Sequence, residues 1–384
     1  MNETPTAAAD SANSADSAEN PAYLSEQLIT YIGNKRALLD FIGSGVQLVR
    51  EKLGGRKLDV FDVFSGSGIV SRYLRRYARR LLVNDLEPYA FVINRCYSAN
   101  GKDADTEQLR SLHAELVSEL ESGPLSAGFV TELYAPADDE AVRTGERCFY
   151  TGRNARFIDT ARALIARKVP QDMQPFLIAP LLAEASVHAN TAGIFKGFYK
   201  NADGTGQFGG AGRNALQRIC GDITLPYPVF SNFTCETTVY CGDANRIVKD
   251  APATDLAYID PPYNQHPYGS NYFMLNLIAS GQKPDERTIS KVSGIPAGWN
   301  RSAYNRKRQI ADALENLVAN VNARFLLISF NSEGFLSPDA MTGLLSKHGS
   351  VVRLERNYNA FRGSRNLAAR STHVTEYLYL VEKR

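Results

Sequence analysis

The sequence predicts an α/β protein built on a doubly wound, mostly parallel sheet, and three stretches carry that prediction. Leu58 to Phe64 (LDVFDVF) is a short apolar run closed by the glycine-rich turn Ser65–Gly68, after which Ile69 to Arg80 has helical spacing and Arg80 to Asn84 (RLLVN) is apolar again. Strand, turn, helix, strand is the repeating unit of such a sheet. After Thr237 the pattern returns as VYCGD, LAYIDPPY, a helix around Ile310 to Asn322 and the strand FLLISF, Phe325 to Phe330. The closing VTEYLYLVEK, Val374 to Lys383, alternates as edge strands do.

In chain order, residues 1–22 are rich in Ala, Ser, Asp and Asn without apolar periodicity and predict a disordered tail. Residues 23–100 and 235–384 predict one catalytic α/β domain, interrupted by a mainly helical insertion at 101–234. Within it Thr106 to Leu120 and Asn154 to Val187 have helical character, with a break at Val169-Pro170, and Ile194 to Asn214 is rich in glycine, aromatic and basic residues.

The 384 residues are 44% hydrophobic and 22% charged, an ordinary globular balance. Residues 1–22 hold four of the 41 acidic residues and none of the 43 basic ones, so the remainder carries +6 where the whole chain carries +2. That balance suits a nucleic-acid partner without requiring one. No apolar run has the length of a membrane span and no signal-peptide pattern opens the chain. Five cysteines without a CxxC pair argue against disulfides and zinc, and five histidines show no metal-ligand spacing, so a cytoplasmic protein without a metal is expected.

Ligands of open parallel sheets gather at the carboxyl ends of the strands. Four such ends are informative here. Asp62 to Gly68 (DVFSGSG) has glycines that let a ligand approach the backbone, although the third position of a dinucleotide fingerprint is Ser71; a plain tight turn is the alternative. Asp85 is placed to accept from ribose hydroxyls, or to precede a helix that starts at Pro88. Asp243 ends a third strand with an acid for an adenine amino group. The fourth end, YIDPPYNQ, is the specific one. A base with an exocyclic amine can donate one N–H to Asp260 and the other to the Pro261 carbonyl while stacking on Tyr263. Two acceptors draw the nitrogen lone pair out of ring conjugation and make it nucleophilic, so positioning and fixed polar groups suffice for attack on a cationic methyl donor.

In motif order the chain resembles the alpha group of S-adenosylmethionine-dependent DNA adenine-N6 methyltransferases. YIGNKRALLDFI (Tyr31 to Ile42) matches that family's opening aromatic-Gly-Lys motif, and Asp62 to Gly68, Asp85, an insertion and DPPY follow in the family's order over about Tyr31 to Lys383. The resemblance implies a Rossmann-like class I methyltransferase sheet, mixed and mostly parallel, with a target-recognition insertion, and S-adenosyl-L-methionine as cofactor. It implies a cofactor site of Tyr31, Lys35, Asp62, Phe64, Gly66, Gly68, Asp85, Asp243 and Asp260, and catalysis by Asp260, Pro261 and Tyr263. The implied partners are double-stranded DNA and a cognate restriction endonuclease encoded nearby. Lys196, Lys200 and Arg213, interleaved with Phe195, Phe198, Tyr199 and Phe208, become candidate DNA contacts, as do Arg362 and Arg365 in RLERNYNAFRGSRNLAAR. The arginines at 72, 75, 76, 79 and 80 read as a solvated helix face. A cytosine-N4 methyltransferase, whose family more often has Ser in place of Asp260, and a catalytically silent DNA-binding protein are the alternatives.

Overall fold

In the computed structural model, residues 18–25, 28–359 and 373–384 are described. Seven strands form one sheet: β1 Leu58–Asp62, β2 Ala78–Asp85, β3 Glu236–Cys241, β4 Thr254–Ile259, β5 Ala323–Asn331, β6 Gly349–Asn359 and β7 His373–Lys383. Their order is β3-β2-β1-β4-β5-β7-β6. β1 to β5 are parallel, and β7 pairs antiparallel with both β5 and β6. The α/β expectation holds in this mixed, mostly parallel form.

Strict alternation divides the sheet's side chains between two apolar layers. Phe61, Leu82, Ala257 and Ile328 face the helices Ile310–Asn320 and Pro338–Ser346. Val60, Leu81, Leu256 and Leu327 face the helices Leu39–Lys52 and Ile69–Leu74. The region 101–234 is helical where the sequence indicated, at Glu107–Ser122, Gly152–Lys168 and Gln174–Val187. It shares one continuous core with the sheet domain: Leu177 and Leu181 pack with Ile93 of helix Pro88–Tyr97 and with Leu275 of helix Phe273–Ser280.

Four details differ from the sequence reading. The first concerns the tail: residues up to 17 lie outside the described ones, but residues 18–25 are held against the rest of the chain. Pro21–Ser25 is helical, Tyr23 is buried with its hydroxyl donating to the Tyr97 carbonyl, and Glu19 accepts from Ser231 Oγ at 2.6 Å. Second, the closing stretch is an inner strand, because β6, which the sequence reading did not mark, covers its outer edge. Third, the helix after the glycine turn ends at Leu74, since β2 begins at Ala78. Fourth, Arg72 and Arg75 are therefore not on a solvated face but buried. Arg75 is 0% exposed and donates to the Ser98 carbonyl, to Asn100 Oδ1 at 2.8 Å, to the Phe233 carbonyl at 2.7 Å and to Thr237 Oγ1 at 3.2 Å. It ties the end of the sheet domain's first segment to the entry of β3.

Removing that guanidinium strands several buried acceptors, each worth about 1–3 kcal/mol when orphaned. Arg75→Met is expected to lower unfolding stability by about 3–5 kcal/mol, read as a fall in the urea midpoint at unchanged m-value.

Candidate active site

The carboxyl ends of β1 to β4 open onto a single cleft, lined among others by Tyr31, Phe64, Asp85, Asp243, Asp260 and Tyr263. These positions, far apart in the chain, therefore meet as the sequence reading expected.

The β1 loop is shaped by its glycines. Gly66 and Gly68 have φ of +52° and +77°, and a Cβ on Gly66 would stand 2.6 Å from the Tyr31 hydroxyl. Asn94 Nδ2 donates to Ser65 Oγ at 3.0 Å and fills the space beside Gly68. Asp85 Oδ2 accepts the Gly66 N–H at 2.8 Å and Oδ1 accepts the Glu87 N–H at 2.9 Å, so the acid at the end of β2 also holds the loop from β1. Asp62 departs from expectation: it does not open on the cleft. Its Oδ2 accepts from Ser71 Oγ at 2.6 Å beneath the loop, and burial raises its pKa to about 7. Gly68 likewise sits behind the loop at the start of helix Ile69–Leu74. Asp243 accepts the Arg246 N–H at 3.2 Å as a helix cap while still lining the cleft.

Tyr31 is fixed by stacking on Tyr268 and Tyr272, with centroids 5.1 and 5.2 Å away. Between them the Ile32 backbone is clamped: its N–H donates to the Tyr272 hydroxyl at 2.8 Å and its carbonyl accepts from the Tyr268 hydroxyl at 3.1 Å. The chain then delivers Lys35 beneath DPPY. Lys35 is 3% exposed, with Nζ 3.2 Å from Asp260 Oδ1, 2.8 Å from Glu376 Oε1 and 5.5 Å from the Tyr263 ring centroid. Burial alone would lower its pKa, but the Asp260 and Glu376 carboxylates hold it well above the ordinary value. Burial raises Asp260 to about 7, the Lys35 ammonium opposing and Glu376 reinforcing the rise. Among the described residues, neither Asp260 Oδ2 nor the Pro261 carbonyl takes a hydrogen bond, whereas Tyr263 leans on Phe330 with centroids 5.7 Å apart.

Three contributors were given no role in the sequence reading. Glu376 is the first; it continues on β7 the face of Leu380 and Leu378, so an acid in phase with an apolar alternation was the available signal. The second is Glu87, 3% exposed, which accepts from Asn276 Nδ2 at 2.6 Å and whose pKa burial raises to about 7. The third is the segment Trp299–Arg308. Asn300, Ser302, Tyr304 and Asn305 line the cleft, Tyr304 packs edge-on against Phe64 at 5.1 Å, and Asn305 Nδ2 donates to the Asn264 carbonyl at 2.8 Å. Arg301, Arg306, Lys307 and Arg308 are exposed and form no ion pair among the described residues, with Arg301 lying 4.4 Å over the Trp299 ring.

The expected DNA contacts are dispersed. Lys196 Nζ is 2.9 Å from His266 Nδ1, Lys200 Nζ donates to the Val292 carbonyl at 3.0 Å, and Arg213 is exposed with φ +47°. Phe195 is buried among Phe149 and Phe273 and is a core residue. Arg362 and Arg365 lie outside the described residues. Asn331 accepts the Glu333 N–H at 3.1 Å and caps a turn.

An acidic, aromatic cleft thus lies at the carboxyl ends of a doubly wound sheet, the place where enzymes of this architecture bind their ligands. Residues 31–130 and 193–343 match the family of D12 class N6 adenine-specific DNA methyltransferases, and the chain belongs to it. It is thus an adenine-specific DNA methyltransferase, which decides between the adenine and cytosine readings. The chain is 29% identical over 367 residues to the Type II methyltransferase M.NlaIII of Neisseria lactamica, covering 92% of this chain and 99% of the relative. It is 32% identical over 362 residues to M.CviAII of Paramecium bursaria Chlorella virus 1, covering 92% and 98%. Against M.FokI of Planomicrobium okeanokoites, 25% identity spans 92% of this chain and 52% of the relative. The family match omits 131–192, the heart of the helical region.

A buried carboxyl with a raised pKa binds its proton more tightly folded than unfolded, so its stabilising contribution is present below the unfolded value and is lost as pH rises through the folded one. For Glu87 that window runs from about 4.5 to about 7. Glu87→Gln, which keeps the acceptor for Asn276, is expected to be neutral at pH 4 and to stabilise on the order of 2 kcal/mol at pH 8, measured by urea titration at both values.

Proposed function

We propose that this protein uses S-adenosylmethionine to methylate an adenine flipped out of a specific duplex site. The observation that carries this reading is that Asp260 Oδ2 and the Pro261 carbonyl take no hydrogen bond among the described residues and lie in sequence beside the half-buried, cleft-lining Tyr263 ring.

The cleft suits the cofactor by shape and by charge. Gly66 leaves open the space a side chain would contest with Tyr31, and Asp85, Asp243 and Asp260 supply carboxylates toward ribose hydroxyls, an adenine amine and a cationic centre. Phe64 and Tyr31 flank it, whereas Asp62 and Gly68 hold the loop from behind. When bound, S-adenosylmethionine supplies a methyl group on a positively charged sulfur. The chain's own residues do the rest. Asp260 accepts one N–H of the adenine amine, the Pro261 carbonyl accepts the other, and Tyr263 stacks on the base. Held in this way, the amine would turn its nitrogen lone pair toward the methyl group of the bound donor, which would keep the C–S electron pair, and Asp260 Oδ2 would receive the amine's surplus proton. Unstacking the base costs a few kcal/mol and explains the aromatic wall.

Lys196, Lys200 and Arg213 in the Gly-rich stretch, and the exposed Arg301, Arg306, Lys307 and Arg308, which form no ion pair among the described residues, provide phosphate contacts. The names Type II methyltransferase and modification methylase carried by its relatives support a role protecting a site from a cognate restriction endonuclease in the cytoplasm. Among the described residues, no helix is long and apolar enough to cross a membrane.

Labelled methyl transfer to unmethylated plasmid, followed by nucleoside analysis, is expected to yield N6-methyladenine; label in another base or none in DNA defeats the reading. Asp260→Ala is expected to reduce the single-turnover rate at least about 100-fold, and Tyr263→Ala to reduce it far more than it weakens cofactor binding by calorimetry. Arg301→Ala/Arg308→Ala is expected to flatten the log–log salt dependence of DNA affinity by about 2 while leaving the single-turnover rate at saturating DNA unchanged.

A further inference from the structure

The buried Lys35 ammonium is shared unequally between two carboxylates. Glu376 approaches it to 2.8 Å and Asp260 to 3.2 Å. Glu376 is 1% exposed and is oriented by a second donor, Ser329 Oγ at 2.5 Å from its Oε1. The sheet brings these groups together by register. Asn331 of β5 pairs with Glu376 of β7, and alternation puts Ser329, Glu376 and Asp260 on the face that the segment leading into helix Leu39–Lys52 covers. Glu376 also lies beyond residue 343, where the family match ends.

A lone lysine beneath Asp260 would neutralise it and draw both carboxylate oxygens toward the ammonium, which is the opposite of what an acceptor for a neutral amine needs. We propose that Glu376 is a positioning residue for methyl transfer: by taking the closer share of Lys35, it keeps Asp260 ionisable yet strongly accepting, with Oδ2 turned to the cleft for the adenine amine. This rests on the assignment of Asp260 as the amine's acceptor. The groups facing Asp260 are Lys35, Glu376 from β7, Asp62 from β1, Tyr258 on its own strand, Tyr263 and Tyr268 after it, and Tyr358 from β6. Of these only Asp62 and Glu376 are carboxyl groups, and Asp62 is held on Ser71. Glu376 is therefore the acid that reinforces the raised proton affinity of Asp260 from the Lys35 side.

The test is the pH dependence of single-turnover methylation, with cofactor and duplex DNA saturating, for the wild type, Glu376→Gln and Glu376→Asp. Gln keeps the shape and the acceptor for Ser329 but not the charge. The expected result is a fall of at least about tenfold in the plateau rate and an acidic limb displaced to lower pH by half a unit or more. Cofactor affinity by calorimetry should remain within about threefold. Glu376→Asp, charged but shorter by one methylene, should fall between and covers the case in which the Gln variant fails to fold. A Gln variant with the wild-type acidic limb and a plateau within twofold overturns the proposal, as does an Asp variant that matches the wild type in both. A merely structural role would lower the melting temperature without moving the limb. Asp260→Ala, which removes the acceptor, distinguishes the two layers: if it retains activity, the acceptor assignment fails; if it is inactive while Glu376→Gln is normal, only the role of Glu376 fails.

Discussion

Everything at the mouth of the sheet depends on a single buried cation. An ammonium taken out of water costs several kcal/mol unless its partners are well placed, and breaking such an arrangement is costlier than never having built it. Lys35 meets that constraint with carboxylates from β4 and β7, strands separated in the chain by more than a hundred residues. The contact welds the N-terminal motif to both halves of the sheet. It also sets two carboxylates, cleft-lining Asp260 and buried Glu376, around one lysine.

Around that centre the cleft is held by interactions that serve position before chemistry. The stacked Tyr31, Tyr268 and Tyr272 with the Ile32 backbone clamped between them set where the chain enters. Asp85 and Asn94 hold the glycine loop through its backbone and hydroxyl. Asn84 Nδ2, donating to the carbonyls of Val63 and Gly242, joins the ends of three strands. Rigid positioning of this sort is what an amine methylation needs, because the attacking nitrogen is weak and the rate comes from orientation and fixed dipoles.

The helical region is not an appendage. Its core runs without interruption into helices Pro88–Tyr97 and Phe273–Ser280, the second of which leaves the loop that follows DPPY. Lys196 on the Gly-rich stretch touches His266 on that same loop, where burial and the neighbouring ammonium keep the imidazole below its ordinary pKa. The segment that carries basic and aromatic residues is thus mechanically joined to the loop that follows DPPY.

Every strand but β6, the carboxyl-end motifs and the motif order could be read from the chain alone, because apolar periodicity and the φ demands of glycine and proline are local properties. From these the α/β class, the Asp85 and DPPY positions and the family were legible. Long-range pairings became visible once the fold was assembled. The alternation of VTEYLYLVEK gave a strand but not its place, so its inner position waited on β6, whose charged face hid it. The arginines at 72 and 75 looked solvated because nothing local reveals the carbonyls of Ser98 and Phe233 that satisfy them. Asp62 looked like a cofactor ligand until Ser71 was seen to occupy it. Glu376 stayed invisible for the same physical reason: an acid is inexpensive to bury only where a distant lysine meets it, and that distance exists only once the sheet is assembled.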